Sequence, residues 1–482
     1  MTDALELDPA LNRLPAPGDP AYGRFHLLGV GGVAMAALAG LLKEAGFTVS
    51  GSDAAVYPPM SETLQKLNIP VFEGYGPLSL PNEPTVVVVG NVVTRKFPVV
   101  KTLKERGYFY VSLPDLLGQL FLAKTKNIVV AGCHGKTTIT NFTAAILAQA
   151  GLNPGYLIGG QSLDLDPSYN LAKGDWFVIE GDEYDSAFFQ KVPKFVFYRP
   201  NLVILTGVEF DHADIYPDLT AVTEAYAALI AKIPEDGLLI VNGDDSLAIN
   251  LAKKARSKVV TYGQNPKNDW LLTAYRPLNL DCYAFSVKAP FGGVFDYAWL
   301  RPGLHNALNA VAALAAADWV GVPAGLSAIS KLKGVKRRQE LIGTFHGVRL
   351  YDDFAHHPTA VAKTLAALKS ATNGPIVAVF EPRSATSRRA VFQKEYSAAF
   401  TAADQVLVAA VNQPEKAPEG DRLDPQALVA AIEANGSPAV YEPDPDKLYA
   451  AILAAVSPGA TVVLLSNGDF GGLAKKLALG LT

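Results

Sequence analysis

Short apolar runs recur along the chain, each closed by a turn and followed by a segment with apolar residues at helical spacing. "TVVVVG" (85–90), "NIVVA" (127–131), "NLVIL" (201–205) and "TVVLL" (461–465) are near-continuous examples. Runs of this kind predict strands buried on both faces, and their alternation with amphipathic segments predicts parallel sheets covered by helices on both sides. After 127–131 the period changes. Ile139, Phe142 and Ile146 share one helical face, so a helix is expected from Lys136 to about Ala150, with Gly151 as its terminator.

Three such series can be separated. The first opens at "RFHLLGVGG" and ends near Leu122, the second opens at "KNIVVAGCHGKTT", and the third opens near "KRRQELIGTFHGVRLYDDF". The expected units are therefore 1–122, 123–335 and 336–482. A length of 482 residues suits three units at roughly 100–200 residues each. Residues 255–300 are less regular and read as antiparallel strands or loops.

Composition narrows the classes. Hydrophobic residues make up 49% and charged residues 18%, and Lys+Arg 42 against Asp+Glu 46 gives a net charge of −4. That balance argues against a nucleic acid or an anionic membrane recognised through bulk charge. No apolar run approaches the roughly 20 residues needed to span a bilayer. The N-terminal stretch has no basic segment before an apolar core. Cys133 and Cys282 are the only cysteines, too few for a disulfide framework. A cytoplasmic protein, monomeric or weakly dimeric, is the expectation.

The second series carries the most specific chemistry. "AGCHGKTT" (131–138) joins a strand to a helix. Such a unit aims backbone N–H groups and the positive helix end at an anion. Lys136 can reach terminal phosphates and the Thr137 hydroxyl can bind Mg²⁺. The strict phosphate-loop spacing fails, because Val130 stands where its first glycine would be, and Gly132 makes a shorter loop. Beyond the next strand lie Glu180, Asp182, Glu183 and Asp185. Beyond the strand after that lie Glu209, Asp211, His212 and Asp214. Acids at strand ends in a nucleotide domain suit a hard cation, and Glu180 and His212 are the favoured pair. Asp182, Asp185 and Asp214 read equally well as solvated loop acids or caps.

Five of the seven histidines, His134, His212, His305, His356 and His357, fall at strand–helix junctions or polar loops. His26 and His346 read as structural. His305, Asn306 and Asn309 open a helix in "RPGLHNALNAVAALAAA", where the amides can read an adenine edge or act as caps. In the third series Asp352, Asp353, His356 and His357 follow one strand. Glu381 and Arg383 follow another, and Ser466, Asn467 and Asp469 a third. All lie past the carboxyl ends of strands, where open parallel sheets bind ligands. Arg383 suits a carboxylate, through its planar fork.

"GVGGVA" (29–34) fits G-x-G-x-x-A after a strand, with Asp53 downstream. That fingerprint keeps a nicotinamide-dependent oxidoreductase as the competing class. The same helix end would also hold the pyrophosphate of a sugar nucleotide.

Taken in order, "GCHGKTT", "EGDEYD", "EFDHADIY", "GLHNALNA", "RRQEL" and "DDFAHHPTA" resemble the Mur ligase family over nearly the whole chain. The resemblance implies an α/β, three-domain architecture: a Rossmann-like N-terminal domain, a P-loop ATPase-like central domain and a Rossmann-like C-terminal domain. It implies an ATP- and Mg²⁺-dependent amide ligase acting on UDP-linked muramic acid. "GSDAAVYPPMS", "GNVVTRKFP", "EYDSAFFQKVPKFVFYRPN", "EPRS" and "SNGDFGG" are more similar to members that join UDP-N-acetylmuramate to a murein tripeptide in peptidoglycan recycling. They are less similar to members that add L-alanine.

Carried across by matching residues, the resemblance implies that Gly31, Gly32, Ser52 and Asp53 lie by the UDP sugar. Gly132, His134, Gly135, Lys136, Thr137 and Thr138 surround the ATP phosphates, with Thr137, Glu180 and His212 toward the metal. His305, Asn306 and Asn309 lie near the adenine, and Arg338 and Asp353 near phosphate and ribose. Lys136, Glu180 and His212 carry catalysis, and His357, Arg383 and Asn467 face the peptide. Cys133, Gly181 and Asp469 depart from the family pattern. Ala227 stands where several relatives carry a carbamylated lysine, so no such lysine is expected.

Overall fold

The apolar runs form the interiors of three large sheets. The structure, a computed structural model, describes residues 7–278, 282–323 and 329–481. The first sheet is wholly parallel. Its order is Val71–Glu73, Thr48–Asp53, Arg24–Leu28, Val86–Val89, Tyr110–Ser112. The chain reverses its direction of winding between Arg24–Leu28 and Val86–Val89, which is where ligands settle at the carboxyl edge of such sheets.

The second sheet has ten strands. Lys126–Ala131 lies between Pro200–Leu205 and Trp176–Gly181, parallel to both. The irregular stretch is an extension of this sheet. Trp270–Pro277, Tyr283–Lys288 and Val294–Trp299 pair antiparallel in succession beyond Lys258–Gly263. The helices Lys136–Gln149 and Leu304–Trp319 cover one face. The predicted helix thus begins at Lys136, and Gly151 follows it at φ +79°.

The third sheet has six strands and is parallel except for Glu340–Phe345 against Val348–Asp353. Among the described residues no helix is long and apolar enough to cross a membrane.

A cavity of about 580 Å³ is lined by segments that follow strands of the two larger sheets. The loop after Lys126–Ala131 supplies one wall. The segments after Val348–Asp353, Ile376–Phe380 and Thr461–Leu465 supply another. Val33 and Ala34, first in the helix after the glycine turn of the N-terminal sheet, reach the same space.

Candidate active site at the junction of three sheets

The loop 132–135 depends on two glycines. Gly132 has φ +115°, and a Cβ there would lie 2.3 Å from Thr206 Oγ1. Gly135 has φ +81°, and a Cβ would lie 2.5 Å from Asn309 Oδ1. Positive φ and close contact both exclude larger residues. Between them, the Cys133 thiol donates to the Glu209 carbonyl at 3.2 Å, and its sulfur accepts from the Glu209 N–H at 3.1 Å. Burial raises its pKa, so it is a structural thiol and a poor nucleophile.

Lys136 follows at the first turn of the helix. Its Nζ donates to the Gly132 carbonyl at 2.9 Å and to both Glu183 oxygens at 2.8 and 3.1 Å. Glu183 also meets His212 Nε2 at 3.2 Å. Burial opposes ionisation of Glu183, but Lys136 and His212 outweigh it and bring its pKa down to about 2. Burial likewise disfavours protonated His212, yet Glu183 and Asp211 prevail and raise its pKa. Glu183 is thus the acid that binds both cationic groups. In sequence it was one carboxylate among four, and nothing in the spacing set it apart.

Glu180 makes a separate pair. It accepts from the Thr137 hydroxyl at 2.8 Å and from the Gly159 N–H at 2.6 Å. Burial and the nearby Asp182 charge raise its pKa. Gly181 beside it packs against Val129, where a Cβ would come within 2.6 Å of Cγ1. Close strand packing therefore accounts for the glycine. Asp182 binds Lys194 at 3.0 Å, Asp185 pairs with Lys191, and Asp214 is exposed in a turn.

The adenine-side expectations fall on the helix Leu304–Trp319. Asn309 abuts Gly135. The Asn306 amide donates to Pro302 O at 2.8 Å and to Gln339 Oε1 at 2.6 Å. His305 is held neutral, its pKa lowered by burial to about 3. From the third unit, Arg338 donates to Thr137 Oγ1 at 3.2 Å and lies over the Phe354 ring. Asp353 accepts from the N–H groups of Gln339 and Ala355, both at 2.7 Å.

His357 caps the helix Pro358–Ala371, its Nδ1 accepting from the Thr359 N–H at 3.3 Å. Burial lowers its pKa to about 4. Asn467 lines the cavity with its Oδ1 buried and unpartnered. Arg383 lies against Gly468, 3.8 Å from Glu381, and its neighbours Ser384, Ala385 and Thr386 line the cavity. Arg337 carries the "SNGD" loop, donating to the Ser466 and Gly468 carbonyls.

At the N-terminal sheet, Asp53 accepts from the Gly31 N–H at 2.8 Å and the Tyr75 hydroxyl at 2.9 Å. Gly32 is the N-cap of Val33–Glu44. The Ser52 hydroxyl is fully buried against His26. Burial lowers the His26 pKa to about 4, and its other nitrogen bonds Ser50, so this histidine is structural.

Family models match in three consecutive blocks: the Mur ligase family catalytic domain at 24–125, the Mur ligase middle domain at 130–317 and the Mur ligase glutamate ligase domain at 337–468. The chain belongs to the Mur ligase family. It is 38% identical over 463 residues to the UDP-N-acetylmuramate–L-alanyl-gamma-D-glutamyl-meso-2,6-diaminoheptandioate ligase of Escherichia coli, covering 95% of this chain and 98% of the relative. It is 32% identical over 467 residues to the UDP-N-acetylmuramate–L-alanine ligase of Thermobifida fusca, covering 93% and 94%. Its structure is similar to that of a murein peptide ligase from Psychrobacter arcticus, with TM-score 0.73, 32% identity and coverage of 95% and 98%. As a Mur ligase it is an ATP-dependent carboxylate–amine ligase, and the oxidoreductase class is set aside.

Proposed function

We propose that this Mur ligase joins UDP-N-acetylmuramate to L-alanyl-γ-D-glutamyl-meso-diaminopimelate in peptidoglycan recycling, acting in the cytoplasm where ATP and the nucleotide sugar meet. One observation carries the choice of amine: 38% identity to the tripeptide ligase over nearly the full chain, against 32% to an L-alanine ligase.

The lactyl carboxylate attacks the γ-phosphorus of ATP and gives an acyl phosphate and ADP. The peptide amine then attacks the acyl carbon, phosphate leaves, and the amide remains. Phosphoryl transfer of this kind needs positioning and charge neutralisation above all. Lys136 supplies a cation at the loop, and the backbone N–H groups of Gly135 to Thr138, at the helix start, would bind the phosphates. Glu180 and Thr137 suit Mg²⁺: two hard oxygens 2.8 Å apart, one of them on a half-buried carboxylate. Mg²⁺ held there would neutralise charge on the transferring group. Asn467 and Arg383 are the proposed contacts for the peptide, the first through its unpaired carbonyl oxygen and the second through a carboxylate. Water excluded from the junction would spare the acyl phosphate from hydrolysis.

Phosphate release with ATP, Mg²⁺ and UDP-N-acetylmuramate is the test. The tripeptide is expected to support turnover with much higher kcat/KM than L-alanine. Preference for L-alanine would overturn the choice of amine while leaving the ligase intact.

A further inference from the structure

At the phosphate loop, side chains from three separate segments converge, two of them, His134 and His357, expected from sequence near the ATP phosphates and the peptide. His134 comes from the loop, Glu209 follows the strand Pro200–Leu205, and His357 begins the helix Pro358–Ala371 of the third unit. One ligand atom from each lies within 4.8 Å of the others. Glu209 Oε2 is 3.3 Å from His134 Nε2 and 3.7 Å from His357 Nδ1.

We infer that His134, Glu209 and His357 form a site for a zinc-class divalent metal, bridging the central and third units. Bonds of about 2.0–2.2 Å in a tetrahedron set ligand atoms about 3.3–3.6 Å apart, and two of the three separations here are already close to that. Two imidazoles and one carboxylate favour zinc, cobalt or nickel over Mg²⁺, which prefers oxygen and water. The oxygen pair Thr137–Glu180 is a different site with different chemistry.

The surroundings hold the ligands in place. The Thr359 hydroxyl donates to Glu209 Oε2 at 2.7 Å and orients the carboxylate. His357 Nδ1, the nitrogen nearer Glu209, acts as an acceptor toward Thr359 N–H at 3.3 Å, which puts its ring proton on Nε2. Nε2 has no hydrogen-bond partner and is buried. A metal would replace that long N–H contact at Nδ1. His134 and His357 both line the cavity, so a fourth position is open to water or substrate. Metal bound there ties the phosphate loop to the third unit and holds the junction closed.

The full chain, stripped with chelator, is dialysed against Zn²⁺ or Co²⁺ with Mg²⁺ in excess. One equivalent should be retained, and the Co²⁺ form should show the intense visible bands of tetrahedral coordination. His134→Gln, Glu209→Gln and His357→Gln should each weaken retention by about tenfold or more, and Glu180→Gln should not. Retention unchanged in all three variants overturns the assignment, as does equal loss in Glu180→Gln. Should the variants fail to fold, the wild-type chain decides: no retained metal, or only weak octahedral Co²⁺ bands, overturns it.

Discussion

Lys136 is held by Glu183 through two hydrogen bonds, and the phosphates must compete for it. Two substitutions separate the roles. Lys136→Ala is expected to lower kcat by at least about a hundredfold, the usual cost of removing a donor to developing charge; near-normal turnover would refute its role. Glu183→Gln removes the charge that raises the His212 pKa, so that pKa should fall, read by NMR titration of the ring. The sign follows from linkage: His212 stabilises the fold below its unfolded pKa, and that contribution is lost as pH rises through the raised folded value. Glu183→Gln should shrink this contribution. At this scale the sequence was partly legible. The placement of Lys136, Thr137 and Glu180 around one loop was readable because a glycine turn and a strand end constrain them. Glu183 was not, because its importance comes from burial and from Lys136 across the fold.

The elements were legible where one residue type does one job. Continuous valine and isoleucine runs became central parallel strands, and the helix Lys136–Gln149 starts at the lysine as its spacing predicts. The stretch 255–300 was ambiguous for a physical reason. Its strands carry one exposed and one buried face, as the pattern in Tyr283–Lys288 shows, and they lack the apolar continuity of buried strands. Neither the length of the central sheet nor the contact of Leu304–Trp319 with the loop could be read from periodicity. That contact yields a prediction. Gly135→Ala forces a side chain into φ +81° and against Asn309, so ATP KM should rise and stability should fall by more than about 1 kcal/mol. Calorimetry of ATP binding and a thermal melt read the two effects.

Across the whole molecule, polar contacts join the central and third units. Besides Glu209 with Thr359, the Thr386 hydroxyl donates to buried Asp211 at 2.7 Å. Glu209, at about 2 against an ordinary 4.5, is ionised by His134 and Thr359 despite burial. A lowered carboxylate pKa stabilises the fold above the unfolded value, and the contribution disappears as pH falls from 4.5 toward 2. Glu209→Gln should therefore flatten the acid limb of Tm against pH between those values. Arg383→Ala should raise the peptide KM and leave the ATP KM unchanged; the reverse pattern would contradict the assignment of the third unit to the amine. None of these junction contacts was visible in sequence, since partners such as Asp211 and Thr386 lie 175 residues apart.

The most direct measurement follows oxygen. UDP-N-acetylmuramate labelled with ¹⁸O in its lactyl carboxylate is turned over with ATP and the tripeptide, and the phosphate released is weighed by mass spectrometry. Activation of the acid at the loop 131–138 predicts one ¹⁸O in each phosphate. Phosphate free of label, with amide formed at the normal rate, would contradict it.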